Sequence, residues 1–151
     1  MVEEGKPAPA FTLRSDTGEE VSLDSLRGRP VVLYFYPRDD TPGCTVQACG
    51  LRDAWEEFER RGAVVLGVSP DDEQSHARFK EKYGLPFTLL ADESHEVAER
   101  YGVWVEKEYA GRRYMGVERS TFLIDAEGNV ARVLRRVKPD THVDEVLAAL
   151  P

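Results

Sequence analysis

The chain is short of the residues that several chemistries need. Of its 151 residues two are cysteine, two methionine, three histidine and one, Asn129, asparagine. Two cysteines cannot staple a small disulfide scaffold. At this length, with 41% hydrophobic residues, one domain spanning 1–151 can bury an adequate core without them. Zinc asks for four ligands at tetrahedral spacing, and beyond the cysteines there are only His76, His95 and His142, scattered and each read as a surface histidine. A Gly-rich phosphate loop of either standard spacing is missing. Neither a metal nor a nucleotide cofactor is therefore expected.

Nothing near the N-terminus resembles a secretory signal, so a leader is not expected, and a long apolar run is missing too. MVEEGKPAPAF opens acidic and proline-rich, with no apolar stretch behind a basic end. No segment approaches membrane-spanning length, so a membrane partner is not expected. The expected address is the cytoplasm, where thiols are kept reduced. A formal net charge of -8 argues against nucleic acid as a partner, because phosphates would be repelled. The pairs Arg112-Arg113 and Arg135-Arg136 read as solvated surface.

What is present has a regular order. Residues 11–14 and 20–23 read as two extended pieces joined by a turn at Asp16-Thr17-Gly18. VVLYFY, 31–36, is a continuous apolar run suited to a strand buried on both faces, and Pro37 ends it. A helical pattern covers 42–61 and AVVLGVS, 63–69, supplies a second buried strand, which completes a β-α-β unit. There follow a helix over 72–83, a short strand at 87–90, a helix over 93–101 and the hairpin STFLIDAEGNVARVLR, with Glu127-Gly128-Asn129 at its turn. VDEVLAAL is a final amphipathic helix. This order predicts an α/β, thioredoxin-like fold: a central mixed β-sheet flanked by helices, with an N-terminal β-hairpin extension.

Both cysteines lie in TPGCTVQACG, residues 41–50. Thr41 followed by Pro42 is a good helix start, since threonine can cap free amides and proline suits the first helical position. Cys44 then falls at the third helical residue. There the positive end of the helix and unpaired amides favour a thiolate, whereas a small buried cysteine in the core is the ordinary alternative. Position alone leaves these two readings level. At ~100° per residue, Cys44, Ala48, Leu51, Trp55 and Phe58 share an apolar face about 80° wide. Cys49 lies ~140° round from Cys44, among Arg52, Asp53, Glu56 and Arg60. Carboxylates near it should keep its thiol protonated. In an unbroken helix the two Cα atoms are roughly 8.7 Å apart, against about 4.4 to 6.8 Å in disulfides. A bond between them requires the first turns to unwind, which fits a redox cycle with local unfolding better than a permanent crosslink.

FYPRDDTPGCTVQACGLRD closely resembles the active-site segment of the peroxiredoxins, in particular the peroxiredoxin Q or bacterioferritin-comigratory group. The likeness extends through GKPAPAFTLRSDTGEEVSLDSLRGRPVVLYFYP, YGLPFTLLAD, YGVW and YMGVERSTFLIDAEGNV, and so covers essentially the whole chain. It implies a cofactor-free, atypical two-cysteine thiol peroxidase acting on hydrogen peroxide and organic hydroperoxides. In that resemblance Cys44 is the peroxidatic cysteine and Cys49 the resolving one, joined in an intramolecular disulfide that thioredoxin or a similar dithiol reduces. Thr41 contacts the peroxide or the thiolate, Pro37 shields the pocket, Arg119 supplies a fixed positive charge, and backbone amides near Gly43 and Cys44 assist. Tyr36 and Trp104 are read as packing residues. The group's common glutamate after the cysteine is here Gln47, which removes a charge but keeps a hydrogen-bonding amide. Resolution within one chain favours a monomer, with a dimer as the alternative.

Two other classes use the same thiols. A thiol-disulfide oxidoreductase would prefer C-x-x-C, which is absent. A non-enzymatic peroxide sensor would oxidise stoichiometrically without turnover.

Overall fold

Residues 2–150 are described by a computed structural model. The apolar run Val31–Phe35 is buried along its whole length. Successive side chains of a strand point to opposite faces, so Val31, Leu33 and Phe35 enter one apolar cluster while Val32 and Tyr34 enter another. A strand buried on both sides needs a covering layer on each, and the remaining elements supply them.

In chain order the strands are β1 (Thr12–Ser15), β2 (Glu20–Ser22), β3 (Val31–Phe35), β4 (Val64–Ser69), β5 (Thr88–Ala91), β6 (Trp104–Tyr109), β7 (Arg112–Val117), β8 (Ser120–Ile124) and β9 (Val130–Leu134). The helices are α1 (Pro42–Asp53), α2 (Trp55–Arg60), α3 (Glu73–Tyr83), α4 (Glu96–Arg100) and α5 (His142–Ala149). Seven strands form one sheet in the order β2-β1-β5-β4-β3-β8-β9. Strands β3, β4 and β5 are parallel, and β8 runs antiparallel to β3 with Leu33 opposite Phe122. The sheet is thus mixed and thioredoxin-like, as expected. One face is covered by α4 through Val97 and Ala98, together with Phe11 and Tyr101. The other carries α1, α2, α3 and α5 through Cys44, Ala48, Leu51, Phe58, Phe79 and Val146.

The expected N-terminal hairpin is present, but it is part of the sheet, since β1 pairs antiparallel with β5 at Arg14↔Ala91 and Ser15↔Leu90. Three expectations are corrected. The helix over 42–61 is interrupted at Ala54, whose φ of -98° and ψ of 13° end α1 and begin α2. The turn lets Phe58 stay buried against the sheet although Trp55 is only half-buried. The helix expected over 93–101 shortens to Glu96–Arg100, because His95 takes a left-handed φ of 54° just before it. His76 and His142 are fully buried rather than on the surface. Burial is possible because each ring finds polar partners inside.

The sequence pattern also left a hairpin unassigned. Strands β6 and β7 pair antiparallel as a separate two-stranded sheet. Their turn uses Ala110 at φ 53° and Gly111 at φ 79°, which is the left-handed pair of a two-residue hairpin loop. Alanine in the first of those positions gives no turn signal, and most of the ribbon faces solvent, so its apolar alternation is weak. Among the described residues no helix is long and apolar enough to cross a membrane.

Candidate active site

The site forms where β3 ends and its chain turns through residues 37–41 into α1. Tyr36 extends the strand by donating its amide to the Val68 carbonyl (3.0 Å), and Pro37, half-buried, cannot continue the ladder. Thr41 occupies the N-cap position with extended backbone (φ -92°, ψ 156°) and Pro42 the first helical position. One local expectation fails here. The Thr41 side chain does not cap the helix, because its hydroxyl donates to the Arg38 carbonyl at 2.9 Å and closes the loop on itself. The first-turn amides therefore have no cap from the Thr41 side chain.

Cys44 lies in that first turn with 2% of its surface exposed. Arg119, the residue before β8, reaches across to it: Nη2 donates to Cys44 Sγ at 3.4 Å and Nη1 donates to Gln47 Oε1 at 2.5 Å. Gln47 thus does for the arginine what a side-chain acceptor can do without a charge: it fixes the plane of the guanidinium. The nearby carboxylate of Glu118 is turned instead to Arg135 and Arg136, at 3.7 and 3.6 Å. Arg119 is left to direct its charge at sulfur. A guanidinium N–H aimed at a thiol in a desolvated place stabilises negative charge there.

Gly43 makes room for this contact. A Cβ on it would stand 3.2 Å from Arg119 Nη2 and 3.3 Å from Pro139 Cγ, so a side chain would push the guanidinium aside. Tyr34, beneath the site on β3, is buried, and burial followed by the negative charge of Cys44 holds its phenol well above the ordinary value. Its hydroxyl has no hydrogen-bond partner among the described residues. Lys107, half-buried on β6, has its ammonium pushed down by burial and then by Arg119. Nothing in the sequence pointed to Lys107, because the strand that carries it was not recognised.

Cys49 is half-buried one turn and a half further along α1, and both thiols are free. They share one unbroken helix. The structure therefore brings Cys44, Gly43, Gln47 and Arg119 together, leaves Thr41 and Pro37 half-buried in the loop that precedes them, and keeps Cys49 apart. Sequence reasoning missed Asp39 and His76, which tie that loop to α3 by buried hydrogen bonds.

A profile of the AhpC/TSA family matches residues 4–133. The chain is 54% identical over 149 residues to a putative peroxiredoxin Bcp of Coxiella burnetii, covering 99% of each. It is 50% identical to the peroxiredoxin Bcp of Bacillus subtilis, over 99% of this chain and 95% of that one. Among solved structures, the Xanthomonas campestris bacterioferritin comigratory protein, described for its alkyl peroxide reduction activity, superposes with a TM-score of 0.90. That likeness has 37% identity and covers 97% of this chain and 96% of the other. With most of its length matched by the family and by relatives at 50% identity or more, the chain belongs to the AhpC/TSA family, as a peroxiredoxin of the Q or Bcp group.

Proposed function

We propose that this thiol peroxidase uses Cys44 as its peroxidatic and Cys49 as its resolving residue, with hydrogen peroxide and alkyl hydroperoxides as substrates. The observation that carries the reading is the contact of Arg119 Nη2 with a buried Cys44 Sγ at the start of α1, with the only other thiol in the same helix.

In the first step the Cys44 thiolate attacks one peroxide oxygen. An S–O bond forms, the O–O bond breaks, and the leaving oxygen takes a proton to depart as water or an alcohol. The sulfur is oxidised to sulfenic acid. Arg119 supports the thiolate and the charge that spreads over sulfur and oxygen, a part the first-turn amides near Gly43 and Cys44 would share. The Thr41 hydroxyl, donating to Arg38, keeps lone pairs free to accept from the peroxide O–H. Pro37 limits water at the rim.

In the second step Cys49 sulfur attacks Cys44 sulfur, the S–O bond breaks and water leaves, which gives an intramolecular disulfide. Because both residues sit in an intact α1, this step follows unwinding of its turns. A thioredoxin-like dithiol reduces the disulfide by exchange, being oxidised in turn. We assign the cycle to a monomer in the cytoplasm, since resolution within one chain needs no second subunit.

Intact-mass measurement after one equivalent of peroxide tests the assignment. The wild type should lose two hydrogens, Cys49→Ser should gain one oxygen, and Cys44→Ser should show no rapid specific reaction. Peroxide consumption by Cys44→Ser at the wild-type rate would overturn the assignment.

A further inference from the structure

The loop that delivers Cys44 is fastened by groups that lie away from the reacting atoms. Asp39 Oδ1 accepts from the Tyr36 hydroxyl at 2.5 Å, and Oδ2 accepts from the Ser75 hydroxyl at 2.8 Å and faces His76 Nδ1 at 2.7 Å. The Asp39 amide donates to Asp71 Oδ2 at 2.8 Å, and the same oxygen accepts from the Ser69 hydroxyl at 2.6 Å. Asp40, at a left-handed φ of 56°, accepts from Lys82 Nζ and the Tyr83 hydroxyl, each at 2.8 Å. The side chains and amide of Asp39 and Asp40 thus tie the chain between β3 and α1 to α3 and to the end of β4.

The protonation of His76 follows from its partners. Nε2 lies 2.9 Å from the Leu90 carbonyl, which can only accept, so Nε2 carries a proton. Nδ1 faces a carboxylate oxygen, also an acceptor. Two acceptors at the two ring nitrogens require the pair to hold one proton more than a carboxylate beside a neutral imidazole. The side chains of His76 and Asp39 are 0% and 4% exposed, so no water relieves the contact. The groups that face the ring are the Asp39 carboxylate from the loop, the Tyr36 hydroxyl from the end of β3, the Asp71 carboxylate and the Leu90 carbonyl from β5. Burial works against the charged ring, but the hydrogen bond and charge of Asp39, then Leu90 and Asp71, outweigh it and raise its pKa.

We propose that the Asp39–His76 pair is a positioning unit for peroxide reduction: it holds residues 37–41 in register and so sets where Pro37, Thr41 and the first turn of α1 stand around Cys44 Sγ. The proposal rests on the reading of Cys44 as the peroxidatic residue. Neither partner touches substrate. When the ring loses its proton at alkaline pH, a lone pair on Nδ1 meets the Asp39 carboxylate, the loop is released and the site loses its geometry. Because the fastening lies ahead of α1, it also holds the Cys44 end still while Cys49 travels.

The test is the rate constant of peroxide reaction, followed by tryptophan fluorescence in stopped flow across pH, for wild type, His76→Gln, Asp39→Asn and the double variant. Misplacement of a reacting group by about 1 Å costs up to ~100-fold, and a roughly tenfold loss is expected in each single variant near neutral pH. The double variant should lose no more than either single one, because the residues act as a unit. Wild type should show a fall in rate on the alkaline side that is missing in His76→Gln. Nitrogen-15 NMR of the reduced wild type should show both ring nitrogens of His76 protonated at neutral pH, with Nδ1 deprotonating along that same fall. Should the His76 and Asp39 variants fold poorly, Ser75→Ala removes one bond to the same carboxylate oxygen, and a two- to threefold loss is expected. Wild-type rates and pH profile in His76→Gln, or in Ser75→Ala where that variant stands in, with Cys44→Ser inert, would overturn the positioning role alone. A neutral His76 ring at neutral pH would do the same. A Cys44→Ser protein that still reacts rapidly would instead overturn the peroxidatic assignment.

Discussion

Two buried histidines have their pKa values moved in opposite directions by what surrounds them. His76, bound to the loop that leads into Cys44, has an acceptor at each ring nitrogen and a raised pKa. His142 opens α5 and lies beside Tyr34, with ring centroids 5.7 Å apart. Its Nε2 shares a hydrogen bond of 2.7 Å with the Thr121 hydroxyl, and its Nδ1 has no partner among the described residues. Burial and then the charge of Arg119 push it down to about 3, so it is neutral. The contact that α5 makes with α1 is of a different kind as well: Val143 lies against Gly50, where a Cβ would find its Cγ1 at 3.5 Å. Directional polar contacts hold the end that presents the nucleophile. The end that carries the second thiol is packed by Val143 over Gly50 and tied by Arg52 Nη1, which donates to the Tyr83 carbonyl at 2.7 Å. The Cys44 end is thus held through more directional contacts than the Cys49 end.

The sharpest way to break this contrast is at the Cys44 end. Arg119→Met removes the donor to Cys44 Sγ and to Gln47 Oε1 together while keeping most of the side-chain bulk. Loss of one preorganised donor to developing charge costs about 100-fold, or about 2.7 kcal/mol. That loss should appear in the peroxide step, measured in a Cys49→Ser background so that resolution does not intervene. Arg119→Lys should recover only part of it, because a point charge cannot make both contacts. An equal slowing of disulfide closure in Arg119→Met would mean that the two ends are not separable.

Much of this site could be read from sequence because its parts are local. The run Val31–Phe35 announced a strand buried on both faces, and Thr41-Pro42 announced where α1 begins. Of the residues the wheel put on one face, Cys44, Ala48, Leu51 and Phe58 are buried in one cluster, and Trp55 packs against it half-buried. What was not legible depends on distant partners. Whether a histidine is buried is decided by acceptors far away in the chain, as with Asp39 and Leu90 for His76 or Thr121 for His142. The Thr41 hydroxyl chose a loop carbonyl over a helix amide, a competition between two nearby acceptors and donors that spacing does not resolve. Gln47, a departure from the group's common residue, was legible as an amide but not as the group that orients Arg119.

The opposite pKa shifts predict opposite pH dependence for the two histidines. The folded pKa of His142 lies below the ordinary histidine value of about 6.5, so the unfolded chain binds the proton first. Stability from this group is present above about 6.5 and is lost as pH falls toward about 3. At pH 5 the loss is on the order of 2 kcal/mol. For His76 the sign reverses: its contribution is complete below about 6.5 and is lost as pH rises through its raised folded value. Urea melts across pH should therefore show a smaller acid loss in His142→Gln and a smaller alkaline loss in His76→Gln. A pH–stability curve for His142→Gln that follows the wild type down to pH 5 would remove His142 from the comparison.

The smallest effect is expected at the Cys49 end, where it also isolates resolution from chemistry. Gly50 follows Cys49 inside α1, and a methyl group there meets Val143 at ordinary contact distance. Alanine in a helix interior is favoured over glycine by about 1 kcal/mol. Gly50→Ala therefore stabilises the wound form of the turns that must open, and leaves Arg119, Gly43 and the loop before α1 untouched. The first reaction with peroxide should keep its rate. Disulfide closure should slow about fivefold, the equivalent of that 1 kcal/mol. Because closure competes with further oxidation of the sulfenic acid, sulfinic Cys44 should accumulate at lower peroxide than in wild type, read by intact mass. If closure kept its wild-type rate, unwinding of the helix around Gly50 would not limit resolution, and Cys49 would reach Cys44 by a motion that leaves those turns intact.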